Sequence, residues 1–409
     1  MPPTTKCVTA HVGARDQYQL SLALRQAGLL EQLVTEAYTP DWLHRIAPDI
    51  ASKRYCAGLS LSSVTISARA LSLMVAARID RKTDLHHVDQ AISRAAYNVA
   101  VKAQANLFLY SYYAHSAFQQ AIFDKSPVQR ILFQLHPHPY NIRQLLEEEM
   151  ERVPFAAQSI RDEDEFRLRP AQLESLAVEP SMATLCVTAS RFTQETLLQQ
   201  GIPATRIRVV PYGVDSTRFP ARLQPPTSDA FRVIFVGRMN QRKGLADLLE
   251  AVRQLQFKKV EVVLCGRGYV DKNILKAYRD LTIRLHWAVS ADQLLRELHQ
   301  SHVFVLPSLA EGFGHVILEA MAAGLPIITT ANTGAPDVLD DGVHGAIVPI
   351  RNPQRIAEQL EAAMCRPDEW FEMGQAAARQ ARLFTWERFR AGIVSVYREE
   401  MANQLTCES

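Results

Sequence analysis

Short apolar, β-branched runs alternate with longer segments in which apolar residues recur at helical spacing, and this alternation is cleanest in the second half of the chain. Phe231–Gly237, Lys259–Cys265, Thr282–Trp287, His302–Pro307, Leu325–Thr329 and Gly345–Pro349 read as strands. Between them lie helix-length stretches, 244–255, 291–300, 314–323 and 353–364, the last with Ile356, Leu360 and Met364 one turn apart. Strand and helix in this order predict βαβ units and a parallel sheet. The first half repeats the scheme less cleanly. Strands are expected at Lys6–Ala10, Leu30–Thr35, Ala105–Tyr110, Arg130–Leu135, Thr184–Thr188 and Arg206–Pro211, with a helix over Asp16–Ala27. Residues 41–104 read as mostly helical and resist subdivision.

Between Tyr212 and Asp229, Pro220, Pro225 and Pro226 break any regular element, which marks a linker. The expected organisation is a first domain over 1–212, a second over 213–383 and a terminal helix over 384–409. Two doubly wound α/β domains joined there would face each other across a cleft. In open parallel sheets, ligands bind beyond the carboxyl ends of the strands, so the cleft is where a site belongs.

Composition narrows the class. The chain has 409 residues, 47% hydrophobic and 22% charged, as in a globular enzyme of more than one domain. A net charge of +2 gives no domain-wide basic excess, and no nucleic-acid partner is expected. The six cysteines form no CxxC pair and no metal-ligand spacing, which suits a reducing compartment. Met1–Thr5 is short and polar, and the apolar region 57–77 is interrupted by Arg69, so neither a secretory leader nor a membrane span is expected. Residues 41–104 carry nine Lys/Arg against five Asp/Glu. Such a segment is compatible with peripheral contact at an anionic membrane face, although a solvated helical insert is the plainer reading. Residues 147–179, by contrast, are rich in carboxylates.

The candidate chemistry gathers after two second-domain strands. Leu309-Ala-Glu311-Gly312-Phe313-Gly314 follows one strand and leads into a helix that carries His315 and Glu319. The glycines allow close backbone approach, and the helix start offers free N–H groups to an anion. Two carboxylates so placed suit a polyol, because each accepts two hydroxyl hydrogen bonds. Gly237-Arg238 and Arg242-Lys243-Gly244 follow another strand, where positive charge would meet a departing anion.

Together, Pro307–Pro326, Thr333–Gly345, Val236–Leu245 and Val210–Asp215 resemble, in order, the motifs of glycosyltransferase family 4. These are retaining transferases of the GT-B fold, and the resemblance spans nearly the whole second domain. It implies a nucleotide diphosphate sugar as co-substrate, no cofactor and no metal, and a glycan or lipid-linked acceptor in bacterial polysaccharide or glycolipid synthesis. Glu319 would bind ribose and Glu311 the transferred sugar. Amides around Gly312, Phe313, Gly314 and His315 would hold the sugar-linked phosphate, and Arg238 and Lys243, beside Gly237, the diphosphate. In the first domain the resemblance places Gly13 against the phosphates and a histidine near the sugar. His136 is the choice, with His138, projecting to the same side, facing the acceptor as the alternative. Ser190 reads as a helix cap and Arg242 as surface charge. Trp287 stands where the family places a glycine near the nucleobase, Asp337 where it places a different acid, and Arg267 follows the turn at Gly266-Arg267-Gly268. A nucleotide-sugar epimerase or hydrolase, or a silent sugar-nucleotide-binding subunit, are the alternatives.

Overall fold

The computed structural model describes residues 5–46, 52–79, 85–256, 259–267 and 270–407. Gly268 of the expected turn, and Asp49, Asp80, Arg81, Lys82 and Asp84 of the charged segment, lie outside them. The first sheet contains β1 (Cys7–Ala10), β2 (Leu30–Thr35), β3 (Val64–Ile66), β4 (Asn106–Tyr110), β5 (Arg130–Gln134), β6 (Leu185–Thr188) and β7 (Ile207–Val209). The second contains β8 (Phe231–Val236), β9 (Val260–Gly266), β10 (Ile283–Trp287), β11 (Val303–Leu306), β12 (Ile327–Thr330) and β13 (Gly345–Val348). Their orders are 3-2-1-4-5-6-7 and 10-9-8-11-12-13, and neighbouring strands run parallel throughout. These are two Rossmann-like domains with helices on both faces, and their near-continuous apolar strands are buried accordingly.

Each expected strand is present to within one or two residues, and two features differ from the sequence reading. Val64–Ile66 adds an edge strand, β3, inside the segment expected to be helical. It is only three residues long, too short to show alternation. The helix expected from Asp16 begins instead at Gln19. Asp16, Gln17 and Tyr18 take left-handed backbone angles (φ 46°, 53° and 64°), each costing on the order of 1 kcal/mol or more. Tyr18 is buried and Asp16 accepts a hydrogen bond from the Tyr212 hydroxyl at 2.7 Å, so tertiary contacts hold the strained turn.

The linker is packed rather than loose. Tyr212 is buried, and its ring lies against Phe133 of β5 (5.6 Å), Phe313 and His315 of the second domain (5.5 and 4.3 Å), and Trp386 and Phe389 of the terminal helix (6.0 and 5.2 Å). That helix, Trp386–Cys407, runs back along the first domain. Tyr397 accepts from Asn106 at 3.1 Å, and Arg390 donates to Gln19 at 2.6 Å.

Candidate active site

In each sheet the strand order reverses once, between β1 and β4 in the first and between β8 and β11 in the second. Helices leave such a point in opposite directions and open a crevice at the strands' carboxyl ends. The loops after β8 and β11 carry the candidate groups of the second domain. Those after β1, β4 and β5 carry Gly13, Arg15, Tyr112 and His136.

After β8, Asn240 accepts from the Lys243 amide at 3.3 Å and closes a short helical turn. The turn points Lys243 toward the β11 loop, where its ammonium contacts the Glu311 carboxylate. Burial, and then the Arg242 and Arg238 guanidiniums, push the Lys243 pKa down to about 7. The Glu163 carboxylate works in the opposite direction.

Arg242 is not the surface charge that the sequence suggested. It is buried, donates to Glu163 at 2.8 Å and lies 3.4 Å from Glu165, both first-domain carboxylates. It also donates to the Ala310 carbonyl at 3.2 Å, while its own carbonyl accepts from the Leu309 amide at 2.9 Å. Arg242 therefore joins the β8 and β11 loops and sets the position of Glu311. Glu163 further accepts from Arg238 at 3.0 Å and from Asn240 at 2.6 Å. Beside this cluster, buried Glu149 accepts from Arg152, Gln241 and Arg351 at 2.6–3.0 Å, and Arg152 reaches Asp247 at 2.7 Å. Glu148, Glu149, Glu163 and Glu165 of the acidic segment thus answer basic residues of the opposite domain.

Gly312 sits where the two domains approach closely. A Cβ there would collide with the Leu135 carbonyl and sit 3.3 Å from the His136 Cα. Its carbonyl accepts from Ser190 at 2.6 Å and Thr193 at 3.2 Å. Ser190 also accepts from the Thr193 amide, so it is the expected helix cap and a cross-cleft contact as well. Arg191 pairs with Asp337 at 2.7 Å across the same seam. Gly314 has φ +86°, a conformation glycine adopts freely, and caps the helix His315–Ala322 with no side chain over its first amides. Phe313 is buried against Tyr212, and burial holds the His315 imidazole pKa below its usual value.

A cavity of about 450 Å³ runs from Glu319 past Gly237, Arg238 and Gly266 to Val289 and Leu294. Burial raises the Glu319 pKa, with Arg218 opposing. Arg218 and Gln17 also line this cavity. The sequence reading missed both, since Arg218 lies in an irregular linker and Gln17 in what read as regular helix. Arg267 lines the cavity too and donates to the Val289 carbonyl at 3.1 Å. Trp287, half exposed, is not among the lining residues. Gly13 follows β1 as expected, but its amide donates to both Glu36 oxygens at 3.2 Å. It faces a protein carboxylate rather than open cleft.

The two histidines diverge. His138 is buried; it accepts from the Tyr140 amide at 3.3 Å and lies 3.0 Å from the Ala177 carbonyl through Nε2. It caps the helix Pro139–Arg152 and does not project to the same side as His136. His136 lines a second cavity of about 810 Å³ in the first domain, and its Nδ1 has no hydrogen-bond partner. Burial, then Arg242, Arg15, Lys243 and Arg238, hold its pKa well below the usual range, so the ring is neutral.

Residues 220–382 match the family described as glycosyl transferases group 1. That part of the chain is similar to the group 1 glycosyltransferases. The chain is 29% identical over 262 residues to the D-inositol 3-phosphate glycosyltransferase of Paenarthrobacter aurescens, covering 60% of this chain and 62% of that protein. It is 28% identical over 188 residues to the amylovoran biosynthesis glycosyltransferase AmsK of Erwinia amylovora, covering 43% and 46%. The chain thus spans about half to three-fifths of these curated relatives. Among solved structures, sucrose-phosphate synthase from Thermosynechococcus elongatus superposes with a TM-score of 0.69 at 18% identity, over 97% of this chain and 100% of that one. Anabaena HepE in complex with UDP-glucose gives 0.62 at 14% identity, over 96% and 99%. The matched stretch sits within a GT-B fold.

Proposed function

We propose that this protein is a retaining, metal-independent glycosyltransferase of family 4 that moves a sugar from a nucleotide diphosphate sugar to an acceptor hydroxyl. The observation that carries the reading is the placement of Arg238 and Lys243 after β8, facing Glu311 after β11 across the second sheet's switch point, with Glu319 in the cavity alongside. In this reading the ribose hydroxyls meet Glu319, and the base extends toward Val289 and Leu294. The diphosphate lies between Arg238, Lys243 and the amides at Gly314 and His315. A fixed cation pair in a partly dry cleft stabilises the charge that develops on the departing phosphate. Glu311, held by Lys243 and the Arg242-anchored loop, receives sugar hydroxyls.

The acceptor enters from the first-domain cavity past neutral His136. It attacks the anomeric carbon on the face the phosphate leaves, and the departing phosphate oxygen takes the proton. The names of the amylovoran and colanic acid relatives support a role in bacterial polysaccharide synthesis, a reaction this reading places on the cytoplasmic side of the membrane. No helix among the described residues is long and apolar enough to cross a membrane. Exposed Trp42, Leu43, Ile46, Leu71 and Val75, with exposed Arg45, Lys53 and Arg69, support peripheral contact with an anionic lipid face.

UDP and UDP-glucose, bound in the Anabaena neighbour, are the first donors to test. Donor turnover followed by mass spectrometry, with and without acceptor and with chelator, separates transfer from epimerisation, hydrolysis and silent binding. Lys243→Ala and Glu319→Ala are each expected to lower transfer at least about 100-fold with the fold intact. Full activity in either, or strict dependence on a divalent metal, sinks the reading. Flotation with anionic liposomes at low salt tests the membrane contact, and no binding ends it.

A further inference from the structure

The first-domain cavity holds a charge that the protein leaves unanswered. Arg15, on the loop after β1, lines it together with His136, Tyr112 and Tyr113. Its guanidinium meets only a phenol: it donates to the Tyr113 hydroxyl at 3.3 Å and lies 5.9 Å from that ring's centroid. Among the described residues Arg15 forms no ion pair, although the neighbouring arginines of the cleft, Arg152, Arg238 and Arg242, each hold a carboxylate. The adjacent Asp16 carboxylate favours the Arg15 charge through space, but its hydrogen bond is to the Tyr212 hydroxyl and not to Arg15.

The acids that line the cavity do not close the account. Glu179 accepts from the amides of Tyr112, Ala114 and His115 at 2.9–3.1 Å, which commits its oxygens to the backbone. Asp164 accepts from the Tyr112 hydroxyl at 3.3 Å, and Arg167 and Arg169 line the same cavity. Asp89 also lines it and acts on the Tyr113 phenol, but forms no ion pair with Arg15. A half-buried guanidinium with no counter-ion is costly to hold, and a bidentate anion is the partner its planar donors fit. His136 contributes an open Nδ1 a short distance along the same wall, where it abuts the Gly312 loop.

We infer that the acceptor carries an anionic group, a phosphate or a carboxylate, that seats on Arg15 and aims a hydroxyl past His136 toward the donor sugar. This rests on the transferase reading and adds to it the chemical class of the acceptor. A neutral acceptor would leave Arg15 as unpaired as it is without one.

The test uses glucose 6-phosphate, glucuronate and glucose as probes, titrated calorimetrically into the full chain saturated with UDP. The expected result is binding of one or both anionic probes at least about tenfold tighter than glucose. The phosphate and uronate arms tell the two sources apart. Arg15→Gln should remove that preference, Arg15→Lys should restore part of it, and the affinity for UDP alone should stay within about twofold in both. Thermal melts of both variants check that they fold.

Equal binding of glucose and the anions overturns the inference, as does no binding of any probe, or an unchanged preference in Arg15→Gln. A parallel loss of UDP affinity also overturns it, because Arg15 then serves the donor. Failure of the wild-type chain to bind UDP or any other nucleoside diphosphate strikes the transferase reading itself. That outcome is distinct from nucleotide binding without anion preference.

Discussion

Glu163 of the first domain and Arg238 of the second lie 3.0 Å apart, and the same carboxylate holds buried Arg242 at 2.8 Å. One first-domain acid thus occupies a cation assigned to the donor diphosphate while anchoring the arginine that places Glu311. Replacing it by Gln leaves Arg242 with Glu165 alone. Glu163→Gln is expected to destabilise the chain by about 3 kcal/mol, the scale for breaking a buried pair. UDP affinity should rise, since Arg238 no longer has an internal competitor. Urea unfolding and calorimetry measure the two effects, and a stable variant with weaker UDP binding would contradict this account.

The depressed Lys243 gives a signature in pH. Its folded pKa is about 7, below the ordinary 10.5. Without ligand the ammonium is therefore lost as pH rises through 7. UDP affinity should fall across pH 6 to 9, with proton uptake on binding above 7. Across the window from about 7 to 10.5 the unfolded chain binds more protons at this position, so Lys243 makes stability rise with pH there. Calorimetry in buffers of different ionisation enthalpy measures the uptake. Lys243→Arg should make the affinity nearly flat, and an identical profile in that variant rules Lys243 out as the titrating group.

Glu319 can be tested against its partner atoms. If it accepts the ribose hydroxyls, Glu319→Gln should weaken UDP about tenfold or more, the scale of a charge-assisted hydrogen bond. A deoxyribose analogue should bind the two proteins almost equally. Titration of both nucleotides into both proteins completes the cycle, and independent losses would place Glu319 away from the ribose.

Gly312 sets how closely the domains meet. An added methyl at this position runs into the Leu135 carbonyl. Gly312→Ala should hold the cleft ajar, lower transfer about tenfold or more, and leave UDP binding nearly intact. Small-angle scattering reads the closure, and wild-type compactness with full activity contradicts it.

Much of the scaffold is legible in the sequence because parallel strands buried on both faces read as continuous apolar runs. The strands β8, β9, β11, β12 and β13 stand out in this way, whereas edge strand β10 is largely exposed, and the glycine turn at 312–314 is visible in the sequence. The interdomain chemistry is not. Nothing local distinguishes buried Arg242 from an ordinary solvated arginine, because its burial comes from Glu163 and Glu165 some eighty residues earlier. His136 and His138 look equivalent by spacing. The helix that begins at Pro139 turns one of them into a cap and leaves the other facing a cavity. The left-handed turn at Asp16–Tyr18 likewise depends on Tyr212, far along the chain.

Tyr212 touches the first sheet, the loop after β11 and the terminal helix at once, and Trp386 stands 6.0 Å from its ring and 5.7 Å from that of His315. The indole is only half buried, with Asp16 and Glu319 on the same cavity wall. Any change in the spacing of the two domains would therefore alter the surroundings of this indole, and with Trp42, Trp287 and Trp370 replaced its emission would read that change without an attached dye.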